Sequence, residues 1–371
     1  MAALERIRTP ALLIDVDVAE RNARAMLARA DALGCTLRPH VKTHKTVEGA
    51  LLQTGGRTSG ITVSTLSEAE FFGSRGFTDI LYAVPISPDK LAAAADLARR
   101  VQPFHVMVDH PAQFAAIEAF SETHPDDTPL WSIFVMVDCG YHRDGVDPAD
   151  PQSVDFVSRI HASTVASVAG VYTHGGHSYG AGGREGIAKV AEAERDAVVG
   201  FAKTCRANGV AVPTVGVGST PTCSVPPPTL DGVTEMHPGN YLVYDCMQAR
   251  IGSCALADVA ARVATRVIGH YPKQNMMLID LGWTGCSAQG AEHGYGAFLD
   301  HPELKIAVLK QEAGEVVPSD GTPLQLDRYP IGTVLQLLPW HSCASAHPHS
   351  HATAVRGTEI VGSWERVPRG W

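Results

Sequence analysis

The sequence predicts an α/β chain, a (β/α)8 TIM-type barrel followed by a β-rich C-terminal domain, and three observations carry that prediction. Short β-branched runs alternate with helical patterns over the first two-thirds of the chain. No G-x-G-x-x-G turn follows the first strand. After about residue 245 the helical periodicity gives way to closely spaced strand-like runs. Eight alternating units in roughly 200 residues fit a closed barrel better than an open doubly wound sheet, whose dinucleotide fingerprint is missing. The length of 371 residues favours two domains. The expected division is 10–245 for the barrel and 246–371 for the β domain, with residues 1–9 available to pack on the latter.

Taken in order, residues 11–15 (ALLID) read as a short strand. Asp17 and Glu20 then have the spacing of a capping pair, and Ala23, Met26, Leu27, Ala30 and Leu33 recur at helical intervals. Counting from residue 36, the extended runs at 36–41, 60–64, 79–84, 104–108, 130–138, 168–173, 213–218 and 233–237 supply the eight barrel strands. Thr65 and Glu68 form a capping box ahead of Phe71 and Phe72, and Ser87-Pro88 opens a helix that runs through Arg100. Ile187, Ala191, Val198, Phe201, Ala202 and Cys205 fall on one side of a longer helix. The runs at 259–269, 274–283, 304–309, 333–338 and 352–367 read as strands of the second domain, with Arg356-Gly357 as a hairpin tip.

Composition narrows the function classes. Hydrophobic residues make up 45% of the chain, enough for a large core, and the net charge of -9 argues against nucleic-acid and anionic-membrane partners. No run approaches 18 apolar residues, and the N-terminus lacks the basic and apolar regions of a signal peptide. Eight scattered cysteines without a C-x-x-C pair read as reduced thiols, so the expected compartment is the cytoplasm.

A barrel of this kind reacts where its strands end. The first strand delivers Lys42 within RPHVKTHKT, the second is followed by Ser64, and the fifth by Asp138-Cys-Gly-Tyr-His-Arg143. The sixth ends in Tyr172-Thr-His174, the seventh in Gly218-Ser219-Thr220 and the eighth in His237-Pro-Gly239-Asn240. A glycine-serine-threonine turn after strand seven can aim N–H groups and hydroxyls at a phosphate. Together with a lysine ending strand one, it points to a phosphorylated aldehyde held as a Schiff base. In the second domain, His341 and Cys343 are two residues apart; on an extended segment they point the same way and can share one ion. Imidazole plus thiolate favours zinc, with other divalent metals left open, and two protein ligands leave positions for water or substrate. His347, His349 and His351 alternate just beyond, either as further ligands or as a solvated strand face.

Seven segments, in order, give a specific likeness: RPHVKTHKT, ITVSTLSEAE, DCGYHRDGV, GVYTHGGHSY, VGSTPT, EMHPGNYLVYD and LLPWHSCA. They resemble the D-serine dehydratase and D-threonine aldolase family of pyridoxal-phosphate (PLP) enzymes, which share the alanine-racemase type of barrel plus β domain. The likeness runs from Thr9 to Trp371. It implies that Lys42, rather than Lys45, carries the cofactor, that Arg143 bonds its phenolate oxygen, and that Gly218, Ser219 and Thr220 hold its phosphate with help from Gly239 and Asn240. Tyr172 would line the ring or phosphate, with a core position as the alternative. Ser64 is a looser match, because some members place a longer polar side chain there. His341-Ser-Cys343 resembles the dehydratase branch, whereas the aldolase branch has His-x-Asp. The implied activity is PLP- and zinc-dependent conversion of a D-3-hydroxy amino acid, such as D-serine or D-threo-3-hydroxyaspartate, to a 2-oxo acid and ammonia. The alternative is a metal-dependent aldolase releasing glycine and an aldehyde. A racemase would need a second base that does not stand out, and the small cofactor-carrier proteins lack the β domain. The implied partners are a small D-amino acid and a second copy of the chain in a homodimer.

Overall fold

The computed structural model describes residues 4–126 and 128–367, and the chain divides into two compact units. One comprises Met1–Asn22 and Asn240–Arg366; the other comprises Ala23–Gly239 and Val367–Trp371.

Strand β1 (Ala11–Asp15) opens the chain and belongs to the first of these units. The barrel unit contains β2 (Thr36–Leu37), β3 (Ser59–Val63), β4 (Thr78–Pro85), β5 (Phe104–Val108), β6 (Trp131–Met136), β7 (Ala166–Tyr172), β8 (Thr214–Val217) and β9 (Glu235–Met236). Each falls within or beside an expected run. They form one parallel sheet in the order β2-β9-β8-β7-β6-β5-β4-β3. Between β2 and β3 the ladder shrinks to a single bridge, His40 with Thr62. The N–H of Val41 donates to Thr62, and the N–H of Thr62 donates to Pro39. Pro39 has no N–H of its own to give, which limits the seam where the barrel comes round on itself.

The local signals act largely as read. Thr65 accepts from the N–H of Glu68, but the Glu68 carboxylate reaches back to the N–H of Ser64, one residue before the cap. Ser87-Pro88 starts a 3-10 turn, Pro88–Lys90, that leads into the helix Leu91–Arg100. The helix Arg184–Ala207 buries all six residues expected on one face, and Glu194 with them. Inside the barrel, Leu81, Met107, Phe134, Met136 and Tyr172 pack as one cluster.

The other unit is a β structure. Its strands are β10 (Ala261–Tyr271), β11 (Met276–Ile279), β12 (Gly296–Phe298), β13 (Leu304–Leu309), β14 (Gly314–Pro318), β15 (Val334–Pro339), β16 (His351–Arg356) and β17 (Glu359–Glu365). The main path is β13-β14-β11-β10-β1-β16-β17, while β15 pairs with both β10 and β12. Strand β1 lies antiparallel to β10 and parallel to β16, so residues from 10 onward do not all enter the barrel as the expected boundary had them. Leu12, Leu13 and Ile14 are buried, and an apolar strand of this kind is satisfied only with neighbours on both edges. Strands β12 and β14 were not anticipated; one is three residues long and the other ends in proline. The β16–β17 hairpin turns through Gly357 at φ +58, where the left-handed region suits glycine. Among the described residues, no helix is long and apolar enough to cross a membrane.

Candidate active-site clusters

Lys42 lies exposed just beyond β2, on a segment fixed by buried polar neighbours. His44 is buried between Thr46 (3.1 Å from Nδ1) and Gln53 (2.9 Å from Nε2), and the Gln53 amide donates to the Gly239 carbonyl at 3.0 Å. Lys45 is committed elsewhere: its amine is 2.9 Å from the fully buried Glu68 carboxylate. His40 sits 3.2 Å from the Ser64 hydroxyl. Burial first, then the charges of Lys42, His174 and His237, hold His40 well below the ordinary imidazole range.

The end of β7 completes the cationic cluster. His174 bonds the Gly218 carbonyl through Nδ1 at 2.9 Å, which makes Nδ1 the protonated nitrogen. Burial, with Lys42 and Arg143 adding repulsion, pushes it down to about 3, so the ring is neutral at physiological pH. Arg143 forks onto Asp144 at 3.1 and 3.0 Å and lies 5.2 Å from the Tyr141 ring centre. Tyr172 is a member of the barrel-core cluster, and burial raises its hydroxyl above the ordinary tyrosine range.

The two expected phosphate turns meet. The N–H of Gly239 is 3.3 Å from the Thr220 hydroxyl. A Cβ at Gly239 would come 2.7 Å from the His40 carbonyl, so only glycine permits this approach. Ser219 caps the short helix Thr220–Ser224 in a reciprocal box with Thr222, and its hydroxyl also meets Ser178 at 3.0 Å. Glu194, carried on the long helix, accepts from the N–H groups of Gly175 (2.7 Å) and Gly218 (3.0 Å) and from Thr173 (3.1 Å). This buried carboxylate holds the loops after β7 and β8 together. It lay hidden in the sequence because it occupies the apolar face of a helix.

These residues fit a phosphorylated pyridine aldehyde: Lys42 offers an amine and Arg143 a guanidinium, the turns at Thr220 and Gly239 meet, and the buried His237 has no hydrogen-bond partner on either ring nitrogen.

In the β unit, His341 and Cys343 do not lie on an extended strand. β15 ends at Pro339, His341 is extended at φ -132 and ψ 106, and Ser342–Ala346 form a helical turn that includes Cys343. The turn is capped from a distance. The Asp245 carboxylate accepts from the Ser342 N–H and hydroxyl (3.0 and 3.2 Å) and from the Asn240 amide (3.0 Å). Burial raises the Asp245 carboxyl, with the His341 charge and these donors opposing. The Asn240 amide nitrogen also bonds Ser342 at 2.7 Å and lies 3.8 Å from the Cys343 sulfur. Its side chain thus braces the His-Ser-Cys turn. Gln289 accepts at 2.6 Å from His341 Nδ1, directing Nε2 as the ligating nitrogen. An imidazole Nε2 with a thiolate suits zinc. His347 closes the helical turn, His349 bonds the Gly285 carbonyl at 2.9 Å, and His351 begins β16, so these three do not alternate on one strand. Among the described residues, no group of three or more His, Cys, Asp or Glu is set to hold a metal.

The barrel and its sites place the chain in a class. It belongs to the family described as "Alanine racemase, N-terminal domain", which matches residues 14–245, and a serine dehydratase domain matches residues 260–355. Within that class it is related to lyases acting on D-3-hydroxy amino acids. It is 38% identical to D-threo-3-hydroxyaspartate dehydratase of Delftia sp. (strain HT23), over 98% of each chain. It is 34% identical to D-serine dehydratase of Dictyostelium discoideum, over 98% of this chain and 97% of that one. The solved structure of the Delftia enzyme superposes with a TM-score of 0.94 at 37% identity, covering both chains completely. Two further structures of that enzyme carry a histidine-to-alanine and a cysteine-to-alanine change two positions apart, and the cysteine variant is described as a metal-free form.

Proposed function

We propose that the chain is a PLP- and zinc-dependent dehydratase that converts a D-3-hydroxy amino acid, such as D-serine or D-threo-3-hydroxyaspartate, to a 2-oxo acid and ammonia. The observation that carries this reading is the His341-Ser-Cys343 turn, with the tautomer of His341 set by Gln289. The same spacing of histidine and cysteine in the Delftia variants supports it. We also assign zinc as the metal, a homodimer as the assembly and the cytoplasm as the compartment, on the strength of the ligand types, the family and the cysteine usage.

Bound PLP supplies an electron sink for the Cα carbanion, and zinc at His341 and Cys343 supplies a Lewis acid for the departing β-hydroxyl. Lys42 would hold the cofactor, and its amine would take the substrate's Cα proton. Lys45, paired with Glu68, does not compete for that role. His40 and His174 stay neutral, so neither adds positive charge against the protonated amine. Arg143 balances the cofactor phenolate, while the turns at Gly218, Ser219, Thr220 and Gly239 hold the phosphate. Ser64, beside His40, would flank the cofactor, and Tyr172 would do so from the barrel core.

A panel of D-serine, D-threo-3-hydroxyaspartate and D-threonine, scored for 2-oxo acid and for glycine, tests the assignment. Oxo acid formation that stops on chelation is expected. Glycine with an aldehyde as the main products would establish the aldolase instead.

A further inference from the structure

At the end of the barrel where the strands begin, three neighbouring strands each present a polar side chain from their second residue: Asp79 on β4, His105 on β5 and Ser132 on β6. The sheet order sets these strands side by side, and His105 and Ser132 are register partners. The Asp79 carboxylate lies 2.9 Å from His105 Nε2, and the Ser132 hydroxyl lies 2.7 Å from His105 Nδ1. Burial works to raise the Asp79 carboxyl, but the bonds from His105 and Arg38 outweigh it and hold the group down to about 2. An ionised carboxylate only accepts, so His105 carries its proton on Nε2, and Nδ1 accepts from the Ser132 O–H. Hydroxyl, imidazole and carboxylate are thus joined in the order that activates a serine.

The relay is firmly held and suitably charged. Arg38 forks onto Asp79 at 2.9 and 3.1 Å and bonds Glu235 at 2.9 Å. Both carboxylates are held below their ordinary range, so one guanidinium faces two negative charges. The excess negative charge favours an imidazolium at His105, the species a serine base must become. The His105 ring is buried and set edge-on to Phe134, with centroids 5.2 Å apart. Asp79 holds a left-handed backbone within its strand, at φ +52, the kind of local strain that collects at working sites. Ser132, by contrast, is only half-buried and lines a cleft of about 580 Å³, the size of a small-molecule site. Ala98, Phe104 and Leu130 give that cleft apolar walls, and Arg99 and Gln102 bring N–H donors to it.

We infer that Ser132, His105 and Asp79 form a second, hydrolytic site whose substrate is a carboxylic ester with a small apolar acyl group. Ser132 Oγ bonds to the ester carbonyl carbon while its proton passes to His105 Nδ1. The C–O bond to the alcohol then breaks, and the leaving oxygen takes that proton from the imidazolium. Water, giving a proton to the same Nδ1, attacks the acyl-serine, and the acid departs as Ser132 regains its proton. The sum is ester plus water to acid plus alcohol, with no oxidant, reductant or cofactor. A carbonyl oxygen turned to Arg99 and Gln102 finds donors for its developing charge. The site uses none of the residues assigned to the dehydratase.

The test treats the full-length enzyme with an alkyl fluorophosphonate, maps the adduct by peptide mass spectrometry, and follows hydrolysis of 4-nitrophenyl butyrate beside it. Circular dichroism checks that each variant is folded. The parent should carry the label on Ser132 and turn over the ester repeatedly. Ser132→Ala should lose that label and most of the ester turnover. His105→Gln should slow both labelling and turnover by about 10²-fold, the lower end for loss of a positioned base. Asp79→Asn, which keeps the size of the side chain, should slow them in the same direction. An unlabelled Ser132 in the parent overturns the inference, and so does parental ester turnover in Ser132→Ala. Labelling of Ser132 as fast in His105→Gln as in the parent also overturns it, because the hydroxyl is then merely exposed.

Discussion

The two units distribute their buried polar groups differently. In the barrel, charged and titratable side chains run through the interior itself: Arg38, Glu235, His40, His237, Glu68 and Glu194 are all buried. In the β unit, the main core cluster consists of residues such as Val263, Met277, Ile279, Phe298, Val316 and Leu337, and the buried polar groups sit apart from it, in the Arg262–Asp15 ion pair, at Arg366 and around Asp245 with its helical turn. A buried charge is tolerable only with partners already in place. The barrel therefore ties its stability to its chemistry, whereas the β unit can keep the two apart. The lesson is that damage to the barrel site and damage to the β unit should separate experimentally.

The largest effect is expected at Lys42. Lys42→Ala should abolish borohydride trapping and lower turnover by about 10⁴-fold, the upper range for loss of a positioned proton-transfer group. Trapping transferred to Lys45 would show that its pairing with Glu68 does not hold it out of the reaction.

Cys343→Ala sharpens the contrast. A bound metal is worth several kcal/mol toward a poor leaving group, so elimination should fall on the order of 10³-fold with metal content. Cofactor absorbance and trapping at Lys42 should persist. Metal content and turnover equal to those of the parent would reduce Cys343 to a thiol without catalytic role.

The smallest effect on chemistry belongs to the apolar core. Leu337→Ala should cost about 2–5 kcal/mol of stability through the cavity left behind. Denaturant unfolding should report the loss, while kcat of the folded enzyme stays near the parental value. A comparable fall in kcat would mean that the β unit couples its core to its site as the barrel does.

Much of this was legible because it is written in short-range spacing. The eight strand runs, the buried face of the helix Arg184–Ala207, and the places of Lys42 and the His-Ser-Cys motif follow from intervals of two to four residues. Glu194, the pairing of Glu68 with Lys45, Asp245 and Gln289 were not, because each acts on residues distant in sequence or sits in a pattern that reads as ordinary helix or loop.

By itself, then, the sequence determined the alternation of strands and helices, a lysine just beyond the first barrel strand and a histidine and cysteine two residues apart, since period and residue chemistry are local properties. Only the tertiary structure decided that ALLID completes the β unit, that Glu68 withdraws Lys45, and that Asp245 turns His341-Ser-Cys343 into a helical start. It also brought Glu235 beside the His237 ring, which stacks on Tyr172. These are matters of which buried group finds which partner, and a polar atom's need for a partner is met wherever the fold delivers one, at any distance along the chain.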